Sequence, residues 1–306
     1  MTKLSIFQKT EQIPVAVERY MENTGAKQPD VAKISGVGLT YVNQILQRKT
    51  HIGKTAIKDV YYLGLAKAIG LDIRVSYWQH FDTANFQQII NKIKEVRESG
   101  ERATIDGDTG SGKTHALRQY ITRYPNNTFI VTCSAVENAK EFAVNIGEVV
   151  GVETFGTAGT IIKKVVKKLL MCDNPILIID EAEHIGKKTG YINIIKTLAD
   201  GLDGKVGFLL VGMGINEILK KGYERNKQNF RQTARRFGRR ENLITDITED
   251  IDKICSTLEL SQTVANWLKK RVQNFGDLEI IIKDAFAEAE KSNQAVNVEL
   301  LNTLYI

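Results

Sequence analysis

The stretch GDTGSGKT, Gly107–Thr114, follows the short run ATID and precedes a segment of helical pattern, and that setting leaves few folds open. A glycine-rich loop that leaves a strand and opens a helix turns its backbone N–H groups toward phosphate oxygens at the positive end of the helix. Gly107, Gly110, Gly112, Lys113 and Thr114 satisfy the GxxxxGK[ST] spacing of such a loop, and Asp108, Thr109 and Ser111 complete it. Lys113 is expected to neutralise the β and γ phosphates, and Thr114 to ligate Mg2+.

The partner signal is PILIIDEAEHI, where an apolar strand delivers Asp180 and Glu181 to its carboxyl end, the edge at which open parallel sheets bind ligands. Asp180 is expected to hold Mg2+ through water, and Glu181 to orient and polarise the attacking water. A nucleoside triphosphate and Mg2+ are therefore the expected cofactors, and these motifs do not identify the base. The acidic pair favours hydrolysis over phosphoryl transfer to a metabolite, which needs an acceptor pocket that the sequence does not display. The runs TFIVTC, PILIID and VGFLLVG alternate with helical stretches and predict an α/β fold with a parallel sheet buried on both faces. The pattern in FQQIINKIKEV places Ile89, Ile90, Ile93 and Val96 on one helical face. The lysines of KKVVKK, Lys163–Lys168, read as the wet side of an amphipathic helix with Val165, Val166, Leu169 and Leu170 inward.

With 306 residues, the chain has room for one such core and small appendages. Cys133, Cys172 and Cys255 form no CxxC pair and are expected to be core thiols rather than metal ligands. No apolar run reaches the length of a membrane span, and the start lacks a secretory core, so a cytoplasmic location away from membranes is expected. The net charge of +6 is compatible with nucleic acid as a partner, and its placement is more telling. From Arg225 to Arg240 the chain reads RNKQNFRQTARRFGRR, without an acidic residue. Two uses compete with that of a plain solvated helix. Arg235 or Arg236 could stabilise the γ-phosphate of a neighbouring subunit, and Lys227, Arg231, Arg239 and Arg240 could grip DNA phosphates.

Near the amino terminus, QPDVAKISGVGLTYVNQIL has the spacing of a helix-turn-helix: Ala32 permits a close helix crossing, Gly36 makes the turn, and Val42 and Ile45 anchor the second helix. Thr40, Tyr41, Asn43, Gln44 and Gln47, with Arg48 and Lys49 at the end, are its candidate DNA-facing positions. The same spacing also serves protein docking. The chain thus divides into an all-α helix-turn-helix domain over 1–72, a connector over 73–85, the P-loop core over 86–247 and a small helical bundle over 248–306.

In this order of parts the chain resembles the transposon-encoded AAA+ ATPases that select transposition targets, the family of the phage Mu B transposition protein. The resemblance rests on GDTGSGKT, on LIIDEAEHIG from Leu177, on FRQTARRFGRR from Phe230 and on NFGDLEII from Asn274. It implies an ATP-bound homo-oligomer, ring or filament, assembled on double-stranded DNA with little sequence preference. Such an oligomer recruits or activates a transposase, and hydrolysis disassembles it. By the same resemblance Lys113, Thr114, Asp180 and Glu181 carry the nucleotide roles, and Arg236 best matches the intersubunit arginine. Met213 or Gly214 stands where such ATPases place a polar sensor, with Asn216 the nearest amide, and Glu279 stands where the bundle often carries an arginine. Both departures imply a slow ATPase. The alternatives are a helicase-loader-like replication ATPase, a nucleotide-gated signalling switch with a protein-docking amino-terminal module, and a metabolite kinase.

Overall fold

The computed structural model describes residues 4, 8–71, 73, 78–186, 189–227, 229–292 and 294–305; residues 74–77 of the expected connector lie outside these. Internal contacts divide the chain into two units, Met1–His80 with Glu279–Ile306, and Phe81–Leu278. The expected bundle over 248–306 is therefore split at Leu278 between the two.

In the first unit, α1 (Ile13–Thr24), α2 (Gln28–Ser35), α3 (Leu39–Leu46) and α4 (Asp59–Ala68) enclose one core. Gly36, with φ 64°, ends α2 and lets the chain turn into α3. Ile13, Val17, Val31, Val42, Ile45, Tyr62 and Leu65 are fully buried in that core, and Ala32 packs against it half-buried. Between α3 and α4 stands an antiparallel hairpin, β1 (His51–Ile52) and β2 (Thr55–Ala56). HIGKTA is too short to carry an alternating pattern, so the hairpin leaves no periodic trace in the sequence.

The second unit is built on a parallel sheet of β3 (Arg102–Asp106), β4 (Thr128–Thr132), β5 (Ile176–Asp180), β6 (Gly207–Gly212) and β7 (Arg239–Asn242), in the order β4-β5-β6-β3-β7. Around it lie α5 (Ala84–Ser99), α6 (Lys113–Arg123), α7 (Ala139–Val150), α8 (Ala158–Leu169), α9 (Thr189–Gly201), α10 (Ile215–Glu224), α11 (Phe230–Arg236), α12 (Thr248–Thr257) and α13 (Gln262–Arg271). The helix α14 (Phe275–Lys291) begins in this unit, and α15 (Val298–Tyr305) belongs to the first. Both sheet faces are covered. On β5, Leu177 and Ile179 join the core formed with α7, α8 and α9, while Ile176 and Ile178 join the one formed with α5 and α6. That is why the central strands read as continuous apolar runs.

Arg97, on α5, ties the amino-terminal edge of the sheet together. Its guanidinium donates to the carbonyls of Asn174 and Asn126, both at 2.8 Å, to Thr128 Oγ1 at 3.1 Å and to Tyr120 Oη at 3.3 Å.

Three sequence expectations change. The basic run is not one helix: α11 stops at Arg236, and Arg239–Asn242 forms the edge strand β7, whose polar residues suit a strand with one free side. Leu170 is exposed rather than inward because α8 ends at Leu169; its buried stripe is Ile161, Ile162, Val165 and Leu169, with Val166 half-buried. Cys133 and Cys255 are buried as expected, but Cys172 is only half-buried. Among the described residues no helix is long and apolar enough to cross a membrane.

Candidate functional site

The phosphate loop joins β3 to α6 at the carboxyl edge of the sheet. Gly110 (φ 75°) and Gly112 (φ 90°) adopt left-handed backbone, which costs an L side chain about 1–2 kcal/mol. Gly110 is constrained a second time, because a Cβ there would strike Asn274 Oδ1. Beside it, the Phe275 N–H donates to the Gly110 carbonyl at 3.0 Å, while Asn274 Oδ1 accepts the Asp277 N–H at 2.9 Å. The start of α14 thus lies against the loop.

Lys113 Nζ donates to the Gly107 carbonyl at 2.6 Å, to the Asp108 carbonyl at 2.9 Å and to Ser111 Oγ at 3.3 Å. Burial pulls its pKa below the ordinary lysine value, against the opposing field of Glu183, Asp180, Glu181 and Asp106. A lysine held partly out of water among carboxylates gains strongly from a phosphate. Thr114 Oγ1 donates to Asp180 Oδ2 at 3.1 Å, and Asp180 Oδ1 accepts the Glu181 N–H at 3.0 Å. Asp180 is buried, and burial pushes its carboxyl above the usual range.

Glu181 has φ 55°, an unusual backbone for a non-glycine residue and of a kind that clusters at functional sites. Burial raises its pKa, and the neighbouring Glu183 and Asp180 raise it further. Glu183 itself has a fixed place: its Oε2 accepts the Met213 N–H at 3.1 Å, and a side chain on Gly212 would collide with that oxygen. The only sequence signal for Glu183 is its position as the third acid of DEAE.

Asp106 ends β3 by capping α10, with Oδ1 on the Gly214 N–H at 2.7 Å and Oδ2 on the Asn216 N–H at 2.8 Å. The Asn216 side chain accepts from Thr104 Oγ1 at 2.5 Å and donates to Asn242 Oδ1 at 2.8 Å. That amide therefore links β3 to β7. Met213 offers its backbone N–H to Glu183 and its sulfur to Thr109 Oγ1 at 3.5 Å.

This donor set fits Mg2+ and ATP. Among the described residues no group of three or more His, Cys, Asp or Glu side chains could hold a metal. Mg2+ needs no such cage, since it takes one or two protein oxygens plus phosphate oxygens and keeps several waters. Thr114 and Asp180 would supply the protein oxygens, and the ion would neutralise phosphate charge. Lys113 and the loop N–H groups would bind the phosphates, and Glu181, ionised, would take up a proton from water.

The basic candidates are differently engaged. Arg235 is exposed at the end of α11, while Arg236 is half-buried and ion-paired with Asp200. Lys227 lies over the Phe230 ring at 5.9 Å, and Arg231 over the Tyr223 ring at 5.6 Å. Arg239 pairs with Glu95 and Glu101, and Arg240 is exposed. In the first unit Thr40, Asn43, Gln47 and Lys49 are exposed, and Gln44 is half-buried. Tyr41 is not an open position, since its ring stacks on Tyr61 with centroids 4.1 Å apart. Arg48 is engaged as well: it forks onto the Glu18 carboxylate and donates to the Leu46 carbonyl at 2.5 Å.

Residues 97–221 match the family model of an AAA domain. No curated protein matches the chain. Solved structures that share the fold include these three. The Orc1 protein of Aeropyrum pernix, determined in complex with DNA, has a TM-score of 0.52 and 15% identity over 71% of this chain and 63% of its own. Domain III of the Thermotoga maritima replication initiation protein DnaA has a TM-score of 0.51 and 17% identity over 76% of this chain and 97% of its own. A Walker-type ATPase of Pyrococcus abyssi has a TM-score of 0.50 and 12% identity over 71% of each chain. This chain therefore spans less than two thirds of the Orc1 protein.

The chain carries a P-loop ATPase core with a parallel sheet and flanking helices, and its match to an AAA domain over 97–221 supports ATP hydrolysis. The resemblance to transposon-encoded target selectors is overturned: the structures that share the fold include replication initiators. The physical reason is that phosphate loop, acidic pair and flanking helices serve nucleotide chemistry throughout this fold, so they do not separate its branches.

Proposed function

We propose that this chain is a replication-type ATPase that binds duplex DNA in its ATP state and acts as a helicase loader. The observation that carries the reading is the charge balance of the site. Lys113 faces Asp106, Asp180, Glu181 and Glu183. A triphosphate added to four carboxylates calls for more positive charge than one lysine and one divalent ion bring. Arg235, exposed at the end of α11, would supply it from a second copy, so that ATP becomes the joint between subunits. An oligomer repeats each basic surface along the DNA and turns weak phosphate contacts into tight binding. The fold shared with Orc1 on DNA and with domain III of DnaA supports DNA as the partner. The α2–α3 pair would then face the duplex with Thr40, Asn43, Gln47 and Lys49.

The test is fluorescence anisotropy on a short random-sequence duplex with ATP, ADP or no nucleotide, beside Lys113→Ala. Binding that needs ATP and is lost in the variant supports the reading, and equal binding in all conditions overturns it. Deposition of a replicative helicase on closed circular single-stranded DNA, with and without this protein, tests the loader role. No gain in deposition rejects that role.

A further inference from the structure

The hairpin between α3 and α4 belongs to no nucleotide chemistry, and its construction calls for another explanation. A two-stranded hairpin is marginal by itself in water, so one that persists must be anchored. Here the anchors are visible. Ile57 is buried in the helical core, Ile52 packs on it, and the Ile57 N–H donates to the Thr50 carbonyl at 2.8 Å to close the base. Tyr62 Oη donates to the Lys49 carbonyl at 3.2 Å. Arg48, at φ 58°, ends α3 and is clamped by Glu18, which sets the direction in which the ribbon leaves. The turn is two residues long, with Gly53 at φ 60° in its first position, the glycine site of a tight hairpin turn.

The register is His51↔Ala56 and Ile52↔Thr55. Extended outward, it sets Thr50 opposite Ile57 and Lys49 opposite Lys58. Alternation then puts Thr50, Ile52, Thr55 and Ile57 on the inner face and Lys49, His51, Ala56 and Lys58 on the outer one. Burial follows this division except at Thr55, which is exposed beside the turn: Lys49, His51, Ala56 and Lys58 are exposed, as is Lys54 at the tip, while Ile57 is buried and Thr50 and Ile52 are half-buried. From Val31 to Lys58 the sequence has no acidic residue. Asp59, which follows Lys58 in the chain, is engaged by Lys9 at 2.7 Å, and Glu18 is engaged by Arg48. The ribbon therefore presents cations that, among the described residues, no carboxylate neutralises.

We propose that this hairpin is a second DNA-contacting element, gripping the phosphate backbone through Lys49, Lys54 and Lys58 beside the groove entered by α3. The proposal rests on the reading of the α2–α3 module as a duplex-DNA binder. Phosphate contacts fix orientation and carry little sequence information, so the hairpin sets the pose of α3 rather than its preference. Each lysine on a phosphate steepens the salt dependence of binding by about one unit of log K per log salt.

The experiment measures duplex affinity of the full chain with ATP across a salt series. Lys54→Ala/Lys58→Ala is compared with Lys67→Ala, which removes an exposed charge from α4, and with Thr40→Ala/Asn43→Ala on α3. The expected result is a salt slope lower by about two in the hairpin variant and unchanged in Lys67→Ala. An unchanged slope in the hairpin variant, with weakened binding in the α3 variant, rejects the hairpin contact and leaves the module a DNA binder. Wild-type affinity in both rejects the module reading and the hairpin contact with it. An equal drop in slope for Lys67→Ala would mean that net charge rather than the ribbon is responsible, and would also overturn the proposal.

Discussion

The side chain of Asn274 occupies the space that a Cβ on Gly110 would require, and the adjacent Phe275 N–H is held by the Gly110 carbonyl at 3.0 Å. The phosphate loop and the start of α14 are therefore fitted to each other. Gly110→Ala meets two obstacles, the left-handed backbone at about 1–2 kcal/mol and the clash with Asn274. Affinity for a fluorescent ATP analogue should fall by at least tenfold, about 1.4 kcal/mol. Adding Asn274→Ala removes the two closest contacts, Oδ1 and Cγ, but not the backbone cost, so affinity should recover in part. Full loss in the double variant would mean that backbone conformation alone decides.

Glu183 and Glu181 share a field, and the consequence is a pH dependence. Burial, Glu183 and Asp180 together hold the Glu181 pKa above the ordinary glutamate value. As the proposed base Glu181 would act ionised, so turnover should fall as pH drops through that raised pKa. Glu183→Gln removes a negative neighbour while keeping an acceptor for the Met213 N–H, so the Glu181 pKa falls. The acidic limb of the kcat profile should therefore move to lower pH. A limb that stays in place would show that the charge of Glu183 does not act on Glu181.

Arg97 binds four acceptors from three segments: α6, the segment that enters β4 and the segment that enters β5. Arg97→Ala leaves two carbonyls and two hydroxyls without this donor, at a cost of about 2–4 kcal/mol. In urea unfolding the midpoint should fall while the slope is retained. A midpoint within error of the wild type would show that water replaces the guanidinium without loss.

Strands β3 to β6 and the placement of the glycine loop between β3 and α6 were legible because each rests on a local pattern. A buried parallel strand needs an apolar run, and a phosphate loop needs glycine and lysine at fixed spacing. β7 was not legible, since RREN lies at a sheet edge where one side faces solvent and no alternation is imposed. The β1–β2 hairpin escaped because two-residue strands are shorter than any period. Glu183, Asn274 and Arg97 owe their places to residues distant in sequence, and spacing carries no trace of such partners. Arg48 and Arg239 illustrate the reverse: read as free cations, each is engaged by carboxylates contributed from other segments, Glu18 for one and Glu95 with Glu101 for the other.

Arg235 and Arg236 are adjacent in sequence but differ in what holds them, and this separates their predicted phenotypes. Arg236 is half-buried and paired with Asp200, so Arg236→Ala should lower stability by about 1 kcal/mol or less, as partly exposed ion pairs do. Arg235 is exposed, and Arg235→Ala should leave the unfolding midpoint unchanged. If Arg235 completes the site of a second copy, its variant should lose the rise of specific ATPase rate with protein concentration while binding nucleotide as a monomer with normal affinity. Asp200→Ala distinguishes the two arginines further, because it releases Arg236 without touching Arg235. A gain in concentration-dependent ATPase in Asp200→Ala, with no loss in Arg235→Ala, would assign the intersubunit role to Arg236 and show that Asp200 holds it back. Loss in Arg235→Ala with an unchanged Asp200→Ala would leave Arg236 as a structural ion pair.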